Sequence, residues 1–319
     1  MLVVKVPLRI SFFGGGTDIP RFIGKIGYGQ VISCTFNRYL YICINKRFDS
    51  QIRVSYSKTE IVNWHENLEH DIIREVLHKF TLDRRGKYSI KGLEIILCSD
   101  VPSRGTGLGS SSALTVGLIK GLLYLMGEHY DTYDIADNAC RLEIDILGKP
   151  QGKQDAFAVA FGGLNKLVFP NAMDVEITAI PRASQIFEHL CLIRIPVEKD
   201  TDAILKSYKP KIDILKKMRN QVDVAEKFFR YWEWELLGAE LKKAWEYKKQ
   251  LSPQVSNKTV EAYIKRLEKI GACGYKLLGA GSGGFLLGVL EDPKIAISEF
   301  GDKVILPKPV FEGAQITQI

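Results

Sequence analysis

Apolar positions along the chain follow two rhythms. Val3 to Phe13 is strand-like, and Gln51 to Ser57 alternates polar and apolar residues as a half-buried strand does. Tyr28 to Lys46 is rich in β-branched and aromatic residues on both sides of Asn37-Arg38, which predicts two strands, and Tyr88 to Cys98 reads as another. Helical spacing appears at His70 to Phe80, where Ile72, Ile73, Val76, Leu77 and Phe80 fall on one face. Ala113 to Met126 is apolar throughout and long enough for a buried helix. Thr132 to Gly148 predicts the next helix, with Thr132 as N-cap and Gly148 as stop. The character changes around Phe169-Pro-Asn-Ala, which marks an expected passage into a second domain, dividing the chain into 1–168 and 169–319. Beyond it, Val175 to Ile180 and Leu190 to Ile195 read as strands. Lys211 to Lys249 reads as two amphipathic helices, Asn257 caps a helix to about Ile270, and Leu286 to Leu290 is an apolar strand.

Composition adds bounds. A chain of 319 residues exceeds what one core usually holds, so two domains are expected, and 46% hydrophobic with 25% charged residues is ordinary globular protein. No apolar run reaches the length of a membrane span, and Met1-Leu-Val-Val-Lys-Val-Pro lacks a signal-peptide layout, so a soluble cytoplasmic protein is expected. Cys34, Cys43, Cys98, Cys140, Cys191 and Cys273 lie far apart in apolar surroundings and read as reduced core residues. The formal net charge of +7 is diffuse; it favours anionic small molecules slightly and offers no basic stripe for nucleic acid. Lys242, Lys243, Lys248 and Lys249 read as a solvated helix face, and His65, His70 and His78 as surface polar residues. Trp232, Trp234 and Trp245 read as core or helix contacts, whereas Trp64 suits either a base pocket or the core.

The chemistry concentrates in glycine loops. In Pro102-Ser-Arg-Gly-Thr-Gly-Leu-Gly-Ser-Ser-Ser-Ala113, Gly105, Gly107 and Gly109 alternate and lead straight into the apolar helix. Positive φ is open to each glycine, and unpaired N–H groups at the helix start would face whatever the loop holds; phosphate is the obvious guest. No lysine follows the last glycine, which excludes a Walker A loop. The loop is also too long for a dinucleotide fingerprint. A flexible Gly/Ser connector is the plain alternative. Gly14-Gly-Gly-Thr-Asp18 follows the first strand, with Arg9 and Asp18 on either side; it suits a polyol site, or else a tight turn that Asp18 caps. Lys276-Leu-Leu-Gly-Ala-Gly-Ser-Gly-Gly-Phe285 is a third glycine loop. Glu143 and Asp145 close their helix where carboxylates oppose the dipole, so a counter-cation, a metal or solvent must attend them. Asp155, at the mouth of a small-residue segment, is either a partly desolvated base or anchor, or a helix N-cap.

Three glycine motifs in this order, Pro7-x-Arg9 to Asp18, Pro102 to Ala113 and Lys276 to Phe285, resemble the GHMP small-molecule kinase superfamily across nearly the whole chain. Within it the chain looks like the heptose 7-phosphate kinases, through Pro7 to Asp18, the Gln-Asp and Phe-Gly-Gly-Leu-Asn around Asp155, and Ala244-Trp-Glu-Tyr-Lys-Lys before Ser256-Asn257. Galactokinases carry Glu-His where this chain has Gly15-Gly16. The resemblance implies a two-domain α+β kinase with ATP and acceptor in the cleft between domains. It implies that Pro102, Ser103, Gly105, Gly107, Leu108, Gly109, Ser110, Ser111 and Ser112 hold the ATP phosphates, with Ser111 and Glu143 on Mg²⁺. It further implies Asp155 as catalytic aspartate, Arg9 as the cation beside the transferred phosphoryl group, Gly15, Gly16, Thr17 and Asp18 at the acceptor, and Gly279, Gly281 and Gly283 closing that side through backbone N–H groups. The implied reaction is transfer to the anomeric hydroxyl of a heptose 7-phosphate. The alternatives are another aldose such as fucose, galactose or an octose phosphate, or a silent sugar-binding protein on the same fold. Arg21, Lys25 and Arg104 are candidates for the distal phosphate. Two departures stand out: Ala156 where related heptose kinases often carry Gln, and Ser282 within a glycine run.

Overall fold

The computed structural model describes residues 1–81, 92–102, 105–181, 184–197, 200–209 and 211–319. The chain opens on β1 (Leu2–Phe13), turns through α1 (Pro20–Ile26) and returns as β2 (Gly29–Lys46), a strand of 18 residues. The two strands expected around Asn37-Arg38 are therefore one. Register against β1 jumps from Pro7↔Tyr39 to Leu8↔Phe36, so Asn37 and Arg38 bulge without ending the strand. β3 (Ile52–Ser55) and β4 (Thr59–Val62) form a hairpin, α2 (Asp71–Phe80) follows, and β5 (Leu93–Ser99) pairs with the far half of β2. Tyr88 to Lys91, expected to begin that strand, lie outside the described residues.

Next come α3 (Ser110–Met126), α4 (Thr132–Arg141) with a π-type turn over Leu142–Ile146, and α5 (Gln154–Phe161). Asp131, not Thr132, caps α4, accepting from Asp134 N at 2.7 Å, so the helix starts one residue earlier than its cap expectation. β6 (Leu164–Phe169) pairs with the near half of β2, and β7 (Glu176–Ala179) pairs with β6. After α6 (Ser184–Phe187) follow β8 (Leu190–Ile195), α7 (Thr201–Lys206), α8 (Ile212–Tyr231), α9 (Trp234–Lys249) and α10 (Lys258–Lys269). The chain finishes with β9 (Gly274–Leu277), β10 (Gly284–Val289), α11 (Ile295–Phe300), β11 (Val304–Ile305) and β12 (Gln315–Gln318). Asn257 caps α10 as expected, its side chain accepting from Val260 N at 2.8 Å.

One sheet runs β12-β1-β2-β5-β3-β4, extended by β6 and β7 from the other half of β2; the second runs β11-β8-β10-β9. The expected boundary between 168 and 169 does not separate them. β7 and β12 both belong to the first sheet, because the change of composition at Phe169 marks only the end of β6. The sheets share a core. Along β10, Phe285, Leu287 and Val289 join the cluster that holds β1, whereas Leu286 joins a second cluster with Ile264 and Leu267 of α10. Strand periodicity thus gives β10 two buried faces. Phe12 of β1 meets Phe229 of α8 edge-on at 5.0 Å, a geometry worth about 0.5–1.5 kcal/mol beyond the area buried. Among the described residues no helix is long and apolar enough to cross a membrane. All six cysteines are free, but only Cys34, Cys140 and Cys191 are buried; Cys98 is exposed, because the β2–β5 ladder turns it outward. His65 is not a surface residue either: it is 3% exposed, with Nε2 at 3.2 Å from His78 Nδ1.

Candidate active site

Between the glycine loops lies a cavity of about 1010 Å³. Gly105, Gly107 and Gly109 in its wall have φ of +68°, +71° and +79°, a run of left-handed turns that aims backbone N–H groups to one side. α3 starts immediately afterwards at Ser110, so its first N–H groups, which no helical carbonyl can take, face the same space. Gly105, Gly107, Gly109, Ser110 and Ser111 line the cavity. Leu108 and Ser112 are buried behind it and Pro102 is exposed away from it, so these three support the loop rather than face a ligand. Ser103 and Arg104 lie outside the described residues.

The end of the α4 segment is a charge cluster. Glu143 is fully buried on the π-type turn, which Leu147 N closes onto Leu142 O at 3.0 Å. Ser111 Oγ donates to Glu143 Oε1 at 2.5 Å and Ser112 Oγ donates to Oε2 at 2.6 Å. The counter-cation that Glu143 needs is Lys149, whose Nζ donates to Ser111 Oγ at 2.7 Å and to Glu143 Oε1 at 3.3 Å. A hydroxyl and a carboxylate form a hard oxygen donor pair that already attracts a cation, which fits Mg²⁺. Among the described residues no group of three or more acidic, His or Cys side chains could hold a metal, so the pair suits an ion that also takes phosphate oxygens. Asp145, the other carboxylate of this segment, is exposed.

Arg9 and Asp155 form a two-pronged pair in the middle of the cavity. Arg9 Nε donates to Asp155 Oδ1 at 2.8 Å and Nη2 to Oδ2 at 2.6 Å, while Nη1 donates to Gly107 O at 2.6 Å. Asp155 lies in the first turn of α5 and is not its cap, and its side chain is 23% exposed, so it is less desolvated than its small neighbours suggest. Arg9 is only 4% exposed. Two of its five N–H groups remain for a ligand. Asp18 is held nearby, accepting from Gly16 N at 2.9 Å and from Gln154 N at 3.1 Å. Burial pushes its carboxyl above the usual carboxylate range. A Cβ at Gly152 would come within 1.9 Å of Asp18 Oδ2, so this approach needs glycine. Gly15, Gly16 and Asp18 line the cavity; Thr17 does not. It is fully buried, its Oγ1 donating to Gln30 O at 2.9 Å and accepting from Gln30 N at 3.1 Å, and it therefore fixes the turn.

The third glycine loop differs from expectation. Gly279 and Ala280 line the cavity, but Gly281 packs on the Val255 backbone and Gly283 on Pro196 and Val197. The loop packs onto the first one: a Cβ at Gly107 would sit 2.7 Å from Leu278 C and O. Its carbonyls are taken by side chains. Tyr208 Oη donates to Ala280 O at 2.7 Å, and Lys248 Nζ donates to Leu277 O at 2.9 Å and also to Gly279 O. Ser282 adopts φ of +61°, the conformation glycine would take, and Asn257 Nδ2 donates to its carbonyl at 3.3 Å.

Sequence reasoning missed Lys149, Tyr208, Lys248 and Lys276, all of which line the cavity. Lys248 was assigned to a solvated face, yet Leu241, Ala244, Trp245 and Lys248 share the buried stripe of α9. Tyr56, His70, Leu97, Val101 and Leu114 also line the cavity, with Ser57, Asp71 and Ser99 beside them; Trp64 is 56% exposed and outside it. Arg21 and Lys25 are exposed and do not line the cavity.

Comparison with known proteins gives the family. Residues 67–163 match the GHMP kinases N terminal domain and residues 233–303 the GHMP kinases C terminal domain. The chain is 30% identical over 310 residues to D-glycero-alpha-D-manno-heptose 7-phosphate kinase of Campylobacter jejuni, covering 91% of this chain and 89% of that one. It is 26% identical to a galactokinase of Pyrococcus furiosus over 95% of this chain and 92% of that one. The crystal structure of a putative sugar kinase from Campylobacter jejuni superposes with a TM-score of 0.79 at 27% identity, covering 100% of this chain and 98% of that one. Matched to both GHMP kinase domains and 30% identical over 91% of its length to a relative named as a kinase, the chain belongs to the GHMP kinases, which are ATP-dependent phosphotransferases.

Proposed function

We propose that this kinase phosphorylates the anomeric hydroxyl of D-glycero-D-manno-heptose 7-phosphate, giving the 1,7-bisphosphate. The observation that carries the reading is the position of the Arg9–Asp155 fork, between the glycine cradle at Gly107 and the Asp18 pocket. The similarity to the Campylobacter jejuni heptose kinase supports the choice of sugar.

ATP with Mg²⁺ supplies an activated phosphoryl group and part of the charge that stabilises its transfer. Ser111 and Glu143 would hold the metal, Lys149 moving from them toward phosphate oxygens. The nests of Gly105 to Gly109 and the N-terminus of α3 hold the phosphates, and the slot at Tyr56 and His70 takes the base. Arg9 offers its two remaining N–H groups to the transferred phosphoryl oxygens while the fork fixes Asp155. Asp155 takes the proton of the attacking hydroxyl late in transfer; an anomeric hydroxyl is more acidic than an ordinary alcohol, so one fixed carboxylate is a sufficient acceptor. Asp18 accepts hydrogen bonds from ring hydroxyls. A coupled ADP-release assay over heptose 7-phosphate, other sugar phosphates and neutral aldoses, with product analysis, tests the reading. Fastest turnover of heptose 7-phosphate to an acid-labile anomeric phosphate is expected; a preference for galactose or fucose, or a phosphate on another carbon, overturns it.

A further inference from the structure

Lys248 and Lys276 are each 4% exposed and line the Asp18 end of the cavity. Lys276 Nζ donates to Ser11 O at 3.1 Å and Phe12 O at 2.6 Å, carbonyls beside the Ser11/Phe13 irregularity of β1, and Lys248 Nζ donates to Leu277 O and Gly279 O. Two of the three donors on each ammonium are thus taken by neutral carbonyls and one is left. Among the described residues neither lysine forms an ion pair with a carboxylate: Asp155 is engaged by Arg9, and Asp18 by the N–H groups of Gly16 and Gln154. A buried ammonium without a counter-ion is costly, and here two of them lie close enough to Arg9 for all three charges to repel. Burial and that repulsion push Lys276 down to about 7 and Lys248 well below an ordinary lysine. A carbonyl clamp explains why each chain is straight and fixed. It does not explain why the clamp uses a cation facing a ligand cavity.

Resting on the function proposed above, we propose that Lys248 and Lys276 form the site for the acceptor's own phosphate ester, so that this end of the cavity selects phosphorylated over neutral sugars. The alternative source of negative charge in reach is the phosphoryl group in flight, and the two are separable by experiment. The quantity to measure is kcat/KM for heptose 7-phosphate divided by that for the unphosphorylated heptose, in the wild type, Lys248→Met and Lys248→Arg. The wild type is expected to prefer the phosphorylated sugar. Lys248→Met is expected to reduce that preference about tenfold or more, as loss of one charge-assisted hydrogen bond implies, with the KM for ATP within about twofold, and Lys248→Arg to restore part of it. An unchanged ratio in Lys248→Met, or an equal loss on both sugars, overturns the assignment, the latter because it points to the transferred group or to loop support. Should Lys248→Met fail to fold, the wild type decides at saturating ATP: sulfate competing with the sugar phosphate supports the site, and sulfate that does not compete overturns it. A wild type that prefers the neutral sugar would instead sink the heptose 7-phosphate reading itself.

Discussion

Glu143 and Lys248 are both charges buried in the wall of one cavity, and the protein treats them differently. Glu143 has two serine hydroxyls and the Lys149 ammonium, so its charge is met from within the chain. Lys248 has carbonyl dipoles and the face of Trp245 at 5.8 Å but no carboxylate, with Lys276 and Arg9 adding repulsion. The first arrangement is preorganised without any ligand. The second is completed by one. The donor half of the site can therefore be studied in the empty protein, whereas the acceptor half shows its preference only when an anion is offered.

The contrast can be broken at four points. Asp155→Asn sits between the two halves, keeps the size of the side chain and leaves Arg9 one of its two acceptors; turnover should fall about a thousandfold while nucleotide affinity, measured by calorimetry, is retained. Wild-type turnover in that variant would remove Asp155 from the chemistry. Lys149→Met leaves Glu143 buried without its cation, and should lower the unfolding free energy by about 2–3 kcal/mol in urea titrations. Mg²⁺ without nucleotide should then recover part of that loss in the variant and leave the wild type unmoved; equal responses would mean that Lys149 does not stand in for the metal. Gly107→Ala forces a side chain into φ of +71° and against the Leu278 backbone at 2.7 Å. It should cost about 2 kcal/mol of stability and raise the KM for ATP, and a silent substitution would show that the two loops are not locked together.

The most gradual effect concerns pH. Lys276 holds its proton less tightly in the folded protein, to about 7, than in the unfolded chain at 10.5, so the unfolded state binds more protons between those values. Stability should rise with pH across that window, by up to about 1.4 kcal/mol per pH unit for this group. Lys276→Met should flatten the rise, with Lys248 still contributing in the same direction; identical slopes in chemical denaturation would contradict the burial of an uncompensated charge.

Much of the donor half was legible in the sequence. A glycine alternation running into an apolar helix states its own backbone chemistry, and Glu143 at the wrong end of a helix asks for a counter-cation, a metal or solvent. The acceptor half was harder to read because residue type and residue position disagree there. The spacing Leu241, Ala244, Trp245, Lys248 put Lys248 on the buried face, but lysine is so often solvated that its type overrode its register. Lys276 meets a carbonyl 265 residues away, which no local pattern encodes. The sheet membership of β7 and β12 was hidden for the same reason: alternation predicts a strand and not its partner. The third loop was legible as a glycine loop beside the site, but the backbones its glycines pack against, Gly107, Val255 and Pro196, were not.

That backbone-on-backbone approach of Gly107 and Leu278 has a bearing on how the enzyme acquires activity. The two loops lie far apart in the chain and touch only once both sheets have docked, so a partly folded form lacks this support for its phosphate cradle. Amide protons of the cradle should accordingly exchange with solvent through the same cooperative opening as the innermost strands, making nucleotide affinity a direct report of complete folding.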